Sequence, residues 1–272
     1  MLNNSTAQRT GALVHDAPWT IARRVIGALL IRELLTRYGR SNIGFLWLFV
    51  EPMLFTLVVA AIWAAIRTVH GSSIPIVAFA LTGYSSMLLW RQSPGRCIGA
   101  VHANRSLLYH RQVTILDVFI ARILLEIFAV SGSLFVLAIA FGAAGIMPLP
   151  ENLLQVVGGW LLLAWFSAGL GLVAGGLSEK FDIVKKLWPP LIYTMAPFAG
   201  TAYIVDALPP AMQKIVVWIP MLNALEFLRE GWFGSLMVAH YDIPYVLEVN
   251  LALSFVGLIL VRQIGTDTTS DE

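Results

Sequence analysis

Several arginines and a glutamate stand directly before an apolar run in the segment RELLTRYGRSNIGFLWLFVEP, which covers residues 32–52. Guanidinium groups bind carboxylates and phosphates, so a cluster of this kind can engage acidic side chains or anionic lipid. Glu33 and Arg37 stand in the order that favours pairing along one helix. We expect residues 19–40 to form a helix lying at a membrane surface before the first crossing. A basic flank that only anchors that crossing is the simpler interpretation.

Sequence motifs for catalysis and metal binding are absent. The chain has no G-x-x-x-x-G-K-[ST] loop, so we expect it not to bind and hydrolyse ATP by itself. It has one cysteine, Cys97, and no H-E-x-x-H or paired-cysteine spacing, so we expect no metal site. The five histidines fall in predicted loops and tails: His15, His70, His102, His110 and His240. The sequence therefore predicts a chain without a cofactor or an enzymatic activity of its own.

The composition predicts an integral membrane protein. Hydrophobic residues make up 58% of the 272 residues and charged residues only 12%, whereas soluble domains carry about a quarter charged residues. A soluble fold of this size could not cover so much apolar surface. The net charge of +2 is too small to indicate a nucleic-acid partner.

Segments long enough to cross a bilayer recur along the chain. About 20 apolar residues in a helix span the hydrocarbon core, where the backbone must satisfy its own hydrogen bonds. Six segments meet this requirement: 44–66, 73–90, 119–145, 153–177, 187–204 and 245–262. We expect one all-α transmembrane domain over 19–263, flanked by cytoplasmic tails at 1–18 and 264–272.

The stretch 205–244 has a different character, because its apolar pieces are short and broken by prolines. Apolar pieces of about 10–14 residues more often enter a membrane part way than cross it. We expect two short re-entrant or interfacial helices, near 209–219 and 222–234. A single broken crossing, which would place the C-terminus on the opposite side, is the alternative.

The distribution of positive charge predicts the orientation, because loops rich in Lys and Arg stay in the cytoplasm. With the N-terminus inside, fifteen of the 18 Lys and Arg residues fall on the inner side. The three on the outer side are Arg67, Lys214 and Arg229. Both termini are therefore expected in the cytoplasm.

The predicted cytoplasmic loop 91–117 mixes basic and apolar residues. Its basic members are Arg91, Arg96, Arg105 and Arg111, and its apolar ones include Leu107, Leu108 and Tyr109. Such a loop can form a short amphipathic helix that docks in a groove of a soluble partner. An ordinary positive loop is the alternative.

Few acidic residues lie deep in the predicted spans, which argues against an ion-driven transporter. Glu51 falls early in the first span, and Glu126 stands one turn after Arg122, so those two can neutralise each other. Candidates for a channel or gate are Trp47, Glu51, Phe55, Tyr193 and Phe198. Each of the aromatic rings can equally serve helix packing.

The segment quoted at the outset closely resembles the start of permease subunits of ABC-2-type polysaccharide exporters, particularly the capsule-export branch. The matching positions are Arg32, Glu33, Arg37, Tyr38, Arg40, Ile43, Gly44, Trp47, Glu51 and Pro52. The run ANRSLLYHRQVTILDVFIAR over 103–122 is similar to that family's loop before the third span. The proline-broken region 205–234 is similar to its short periplasmic gate helices. The resemblance covers about residues 19–263.

The resemblance implies a pore formed by two copies of this chain, with two copies of a separate P-loop ATPase subunit beneath it. The ATPase would bind ATP and Mg and would dock near 19–40 and 96–113. The implied coupling residues are Arg32, Glu33, Arg37, Tyr38, Arg40, Arg96, Arg105, Leu107, Leu108, Tyr109 and Arg111. The implied cargo is a lipid-linked capsular polysaccharide, pushed outward across the bacterial inner membrane with the help of a periplasmic adaptor. Arg23, Arg24, Arg37 and Arg40 are candidates for attracting the lipid phosphate.

Other functions remain open from the sequence. The same architecture could export O-antigen, teichoic acid or a small hydrophobic molecule. A membrane-embedded transferase would need acidic or histidine residues clustered at one membrane face, whereas the acids here are dispersed. An ion-coupled carrier would show inverted repeats and charges in mid-bilayer, and neither is visible.

Overall fold

The computed structural model describes residues 18–39, 42–67, 74–108 and 113–270, and within these ranges the chain is helical with no strand. The α-helices, in chain order, are α1 Pro18–Tyr38, α2 Asn42–Arg67, α3 Ile76–Cys97, α4 Ala100–Ala103, α5 Arg105–Leu108, α6 Ile115–Ala143, α7 Leu153–Lys180, α8 Asp182–Met195, α9 Pro210–Val216, α10 Pro220–Phe233 and α11 Ile243–Ser270. Short 3-10 helices lie at Ala196–Ala199, Val205–Ala207 and Gly234–Leu236.

Among the described residues, four helices are long and apolar enough to cross a membrane: Leu46–Ala65, Ile115–Ala143, Leu153–Lys180 and Ile243–Gly265. They confirm apolar helices at the predicted segments 44–66, 119–145, 153–177 and 245–262. α9 and α10 reach the same threshold only if they are taken together, across a bend of 109°.

The predicted spans 73–90 and 187–204 do not reach that threshold. α3 continues from the apolar stretch through Arg91 to Cys97, and it carries the buried polar residues Thr82 and Ser85. α8 has 14 residues and contains Pro189 and Pro190. α3 is therefore too polar to meet the criterion, and α8 is too short.

Helix boundaries differ from the prediction at two places. α6 begins at Ile115, four residues before the predicted span, because Thr114 and Asp117 form a capping box. α11 continues to Ser270 and thus into the predicted polar tail 264–272.

Contacts between neighbouring helices define the two ends of the bundle. Phe119 and Ile123 of α6 lie beside Gly175 and Gly171 of α7, so these helices run antiparallel. α3 and α11 run parallel to α7, because residue numbers rise together in their contacts with α7. We call the end with the C-termini of α3 and α7 the α1 end, and the opposite one the α10 end.

The chain between α7 and α11 passes from one end of the bundle to the other. Asp182 follows directly on α7 at the α1 end, whereas Gly200 contacts α10 at the α10 end. The remaining stretch up to Ile243 then stays at the α10 end, because Gly231 contacts the first turn of α7.

α3 lies at the centre of the bundle and packs against α2, α6, α7 and α10. Leu81, Leu88 and Leu89 are fully buried there. The contact of α7 with α11 is close because Gly169, Gly176 and Gly257 have no side chain to separate the helices. This packing gives a rigid frame on which charged side chains are held at each end.

Candidate functional site

A cluster of charged side chains joins α1 to the bundle, and we call it the α1 ion-pair cluster: Glu33, Arg37, Arg96, Arg122 and Glu126. It combines side chains of α1, α3 and α6, which are far apart in sequence. Because three arginines face two glutamates, the cluster has a formal charge of +1. Its members come together only through the packing of three helices.

Glu126 is the centre of the cluster. Its side chain is only 2% exposed, and the same carboxylate oxygen pairs with Arg37 of α1 and lies 3.2 Å from Nε of Arg96 of α3. A carboxylate removed from water needs such partners, because unpaired burial of a charge is very unfavourable. Glu126 therefore holds two other helices against α6.

Glu33 forms the second node. Its Oε1 accepts a hydrogen bond from Nη2 of Arg37 at 3.4 Å. Arg122 Nε lies 3.4 Å from the same oxygen, which is close enough for an ion pair but not aligned for a hydrogen bond. Arg122 Nη1 instead donates to the carbonyl of Arg96 at 2.7 Å. The pairing of Glu33 with Arg37 that the sequence predicted is confirmed.

The expected neutralisation of Arg122 by Glu126 is replaced by pairing across helices. The order Arg then Glu is the weaker one along a single helix, and arginines of α1 and α3 reach the Glu126 carboxylate instead. Arg122 pairs with Glu33 of α1 in turn.

A second link joins α1 to the turn between α4 and α5. Arg32 Nη1 donates to Oδ1 of Asn104 at 2.7 Å, and Nδ2 of Asn104 donates to the carbonyl of Ala100 at 2.8 Å. Asn104 is buried, so its amide is held in one orientation. These two hydrogen bonds connect the α4–α5 turn to α1.

The remaining coupling candidates have several different positions. Arg105 is exposed, whereas Leu107 and Leu108 are half-buried against a core cluster of the chain itself, which includes Val101 and Ile115. Arg91 and Arg96 belong to α3 and not to a loop, which corrects the predicted loop boundary at 91. Arg40, Tyr109 and Arg111 lie outside the described residues, and the structure describes Tyr38 only as the last residue of α1.

The described candidates for attracting the lipid phosphate differ in their exposure. Arg23 and Arg24 lie on the exposed face of α1. Arg37 is only 14% exposed and is engaged by Glu33 and Glu126.

The channel candidates lie on the surface of the single chain. Trp47, Glu51 and Phe55 share one face of α2, where both aromatic rings are about half exposed and Glu51 is half-buried. Tyr193 of α8 is 68% exposed, with the guanidinium carbon of Arg91 5.9 Å from its ring centre, and Phe198 follows in the next turn. None of these five side chains is enclosed by the rest of the single chain.

Sequence reasoning missed a second polar cluster at the α10 end, centred on Glu226 and Arg229. Arg229 is fully buried and donates to the carbonyls of Gly200 and Tyr203 at 2.7 and 2.9 Å and of Thr201 at 3.2 Å. Its guanidinium carbon lies 4.0 Å from the ring centre of Phe79. The opposite charges of Glu226 and Arg229, one turn apart in a largely apolar helix, were the signal that could have revealed this cluster.

Glu226 binds the segments on either side of α10. Its carboxylate accepts from the backbone of Val205 at 3.5 Å and of His240 at 3.4 Å. At the same end, the Glu230 carboxylate accepts a hydrogen bond from Tyr241 at 2.6 Å, which raises the pKa of Tyr241 to about 12. α10 therefore fixes the segments before and after it as one unit.

Within the described ranges, no three His, Cys, Asp or Glu side chains come together as metal ligands would. The clusters described above are ion pairs and hydrogen bonds that hold helices together. The fold and these clusters define a helical membrane protein with a charged helix clamped to one end of its bundle.

The chain belongs to the ABC-2 type transporter family, whose model matches residues 24–233. It is 42% identical over 245 residues to the capsule polysaccharide export inner-membrane protein CtrC of Neisseria meningitidis serogroup B, covering 90% of this chain and 92% of that protein. It is 39% identical to the capsule polysaccharide export inner-membrane protein BexB of Haemophilus influenzae, over the same shares. The polysialic acid transport protein KpsM of Escherichia coli is 28% identical, over 89% of this chain and 94% of that protein.

Proposed function

We propose that this chain is the pore-forming permease subunit of an ATP-driven exporter that moves lipid-linked capsular polysaccharide across the bacterial inner membrane. The observation that carries the proposal is the match along nine tenths of the chain to proteins named for capsule polysaccharide export. These names favour a polysaccharide cargo over a small hydrophobic molecule. The chain supplies the passage, and a separate subunit supplies the ATPase.

The working assembly contains two copies of this chain, two copies of a P-loop ATPase subunit that binds ATP and Mg, and a periplasmic polysaccharide co-polymerase or adaptor. The exposed apolar faces of α2 and α8 support a second copy, because a long path for a polymer cannot be enclosed by one chain whose candidate lining residues are exposed. Trp47, Glu51, Phe55, Tyr193 and Phe198 would then line the path or its gate, where aromatic rings can stack on sugars.

We propose six crossings with both termini in the cytoplasm. Support comes from the parallel packing of α7 and α11, which requires an odd number of crossings between them. α8 with the turn Ala196–Ala199 makes that crossing, and the region 205–244 is re-entrant. α3 crosses as well, because the hydroxyl residues within it, Thr82, Ser85, Ser86 and Ser93, are buried against neighbouring helices and not exposed to lipid.

The charge distribution supports placing the α1 end in the cytoplasm. Arg96, Arg122 and Lys180 lie at that end together with the arginines of α1, whereas Lys214 and Arg229 lie at the opposite end. Positive residues retained at one end are typical of the cytoplasmic side.

The α1 ion-pair cluster supports a coupling role for Arg32, Glu33, Arg37 and Arg96. An ATPase that moves α1 or the α4–α5 turn would act on α6 and α3 through contacts centred on Glu126, whose buried carboxylate is costly to leave without a partner. α3 and α6 are central helices of the bundle, so their displacement reaches the α10 end. Arg23 and Arg24 are exposed and remain candidates for the lipid phosphate, whereas Arg37 is only 14% exposed and is engaged by two carboxylates.

The proposal is tested by deleting the gene in an encapsulated host. We expect the surface capsule to disappear and lipid-linked capsular polysaccharide to accumulate inside the cell, with both effects reversed by the wild-type chain. Extracted glycolipid and surface staining are measured together. An intact capsule with loss of O-antigen or teichoic acid at the surface would instead identify the alternative cargo.

A further inference from the structure

The short helix α9 and the turn after it expose an apolar patch at the α10 end. We call it the α9 patch: Met212, Ile215 and Trp218, which are 50%, 68% and 72% exposed. The opposite face of α9 is fixed to the chain, since Val216 is buried and Gln213 donates to the carbonyls of Asp206 and Leu208 at 3.3 and 2.9 Å. The exposed side chains therefore project away from a firmly attached helix.

The position of Trp218 relative to α11 indicates what covers the patch. Its ring meets the ring of Tyr245 at 5.8 Å in an edge-to-face arrangement, and the Tyr245 hydroxyl donates to the Trp218 carbonyl at 2.7 Å. Tyr245 stands in the first turn of the candidate span Ile243–Gly265. Trp218 thus lies at the level where a membrane-crossing helix begins, which is the boundary between lipid and water.

The composition of the turn fits that boundary. Trp and Tyr concentrate where one side of the ring is apolar and the other is hydrated. Lys214, also exposed, stands between Met212 and Ile215 in sequence, and its long side chain can extend to lipid phosphates while its stem stays in the apolar layer. The patch also adjoins the exposed face of α11 that carries Tyr245, on which Val256 and Ile259 are 47% and 41% exposed.

We propose that the α9 patch inserts into the headgroup region of the phospholipid leaflet at the α10 end and anchors the α9–α10 region at a fixed depth. The occupant is the lipid surface, by continuity with the lipid-exposed face of α11. In the proposed orientation this is the periplasmic leaflet. The assignment to that leaflet rests on the proposed function, whereas the insertion itself does not. The anchor gives the re-entrant helix α10 a fixed support at its N-terminal end, since Trp218 precedes Pro220 directly in the chain.

The test uses nitroxide labels on the full chain in its complex with the ATPase, reconstituted in vesicles of phosphatidylethanolamine and phosphatidylglycerol. Single cysteines replace the residues in a Cys97→Ala background: Met212→Cys and Ile215→Cys in the patch, and Asp206→Cys as the water-exposed control. Collision with oxygen and with a water-soluble nickel chelate reports the depth of each label. We expect both patch labels to favour oxygen severalfold more than the Asp206→Cys label does.

Two results would overturn the anchor. Patch labels as accessible to the nickel chelate as the control would identify a water-exposed surface, open to a soluble partner. Labels shielded from both reagents and broadened by spin–spin interaction would identify an interface between two copies of the chain. A membrane-impermeant maleimide applied to the Asp206→Cys variant in intact spheroplasts reports the side of the membrane separately, so that an error in orientation is distinguishable from an error in depth.

Discussion

Glu126 is the residue on which the proposed coupling of α1 to the bundle depends most. One buried carboxylate is shared by arginines of two other helices, and a neighbouring glutamate balances a third arginine. Buried charges of this kind add little net stability when paired, but removal of one member leaves the others uncompensated. The cluster therefore acts as a specific connection whose loss has a large effect on both position and stability.

The pair Arg37 and Glu126 is tested by a double-mutant cycle with Arg37→Met and Glu126→Gln. We expect each single change to destabilise the fold, with Glu126→Gln approaching the ~3–5 kcal/mol typical of breaking a buried pair. We expect the double variant to lose less than the sum, with a coupling of about 0.5–3 kcal/mol. Unfolding by sodium dodecyl sulfate in mixed micelles, followed by circular dichroism, measures the free energies.

The control for this cycle is Lys185→Gln, which breaks an exposed ion pair with Asp182 in α8. We expect little change there, because water screens exposed pairs. Additive effects of Arg37→Met and Glu126→Gln would contradict a direct interaction between the two residues.

At the scale of helices, the length and hydropathy of a segment predict a membrane span only where the segment is apolar throughout. Spans α2, α6, α7 and α11 were predictable because each is long and apolar enough on its own. The length of α8 was not predictable, because its first half carries lysines and the helix continues through two prolines. Its passage along the bundle becomes visible only through the contacts of Gly200. The partners of Glu126 were not predictable, because they depend on which faces of α1, α3 and α6 meet.

The close approach of α3 to α10 gives a matched test on one helix. A methyl group at Gly83 would lie 2.5 Å from Nη2 of Arg229 and 2.8 Å from the carbonyl of Thr201, whereas nothing lies within 4 Å of one at Gly95. We expect Gly83→Ala to destabilise by about 1–3 kcal/mol through overpacking. Gly95→Ala should be neutral or stabilise by about 0.5–1 kcal/mol through its helix propensity.

Thermal unfolding of the two variants in the same detergent measures this difference. A common melting temperature for Gly83→Ala and Gly95→Ala would mean that the loop around Thr201 yields easily. In that case Arg229 would not hold the segment Gly200–Tyr203 rigidly against α3.

At the scale of the whole molecule, the two ends of the bundle differ. Ion pairs join helices at the α1 end, whereas side chains of α10 bind neighbouring backbone segments at the α10 end. The α1 end carries ion pairs between helices, through which we propose the ATPase acts on the bundle. The α10 end carries Arg229 and Glu226, which bind backbone groups. Helices α3 and α6 connect the two ends. This arrangement fits a passage that is opened by work done at one end, with no motor in the chain itself.

The most direct test of that account is export in vesicles that contain this chain, the ATPase subunit and lipid-linked polysaccharide, with hydrolysis and transport measured in the same sample. We expect transport only when the ATPase and ATP are both present. In the Glu126→Gln variant, we expect hydrolysis to continue while the number of chains exported per ATP falls at least several-fold. Transport without the ATPase subunit, or an unchanged ratio in the Glu126→Gln variant, would contradict the account.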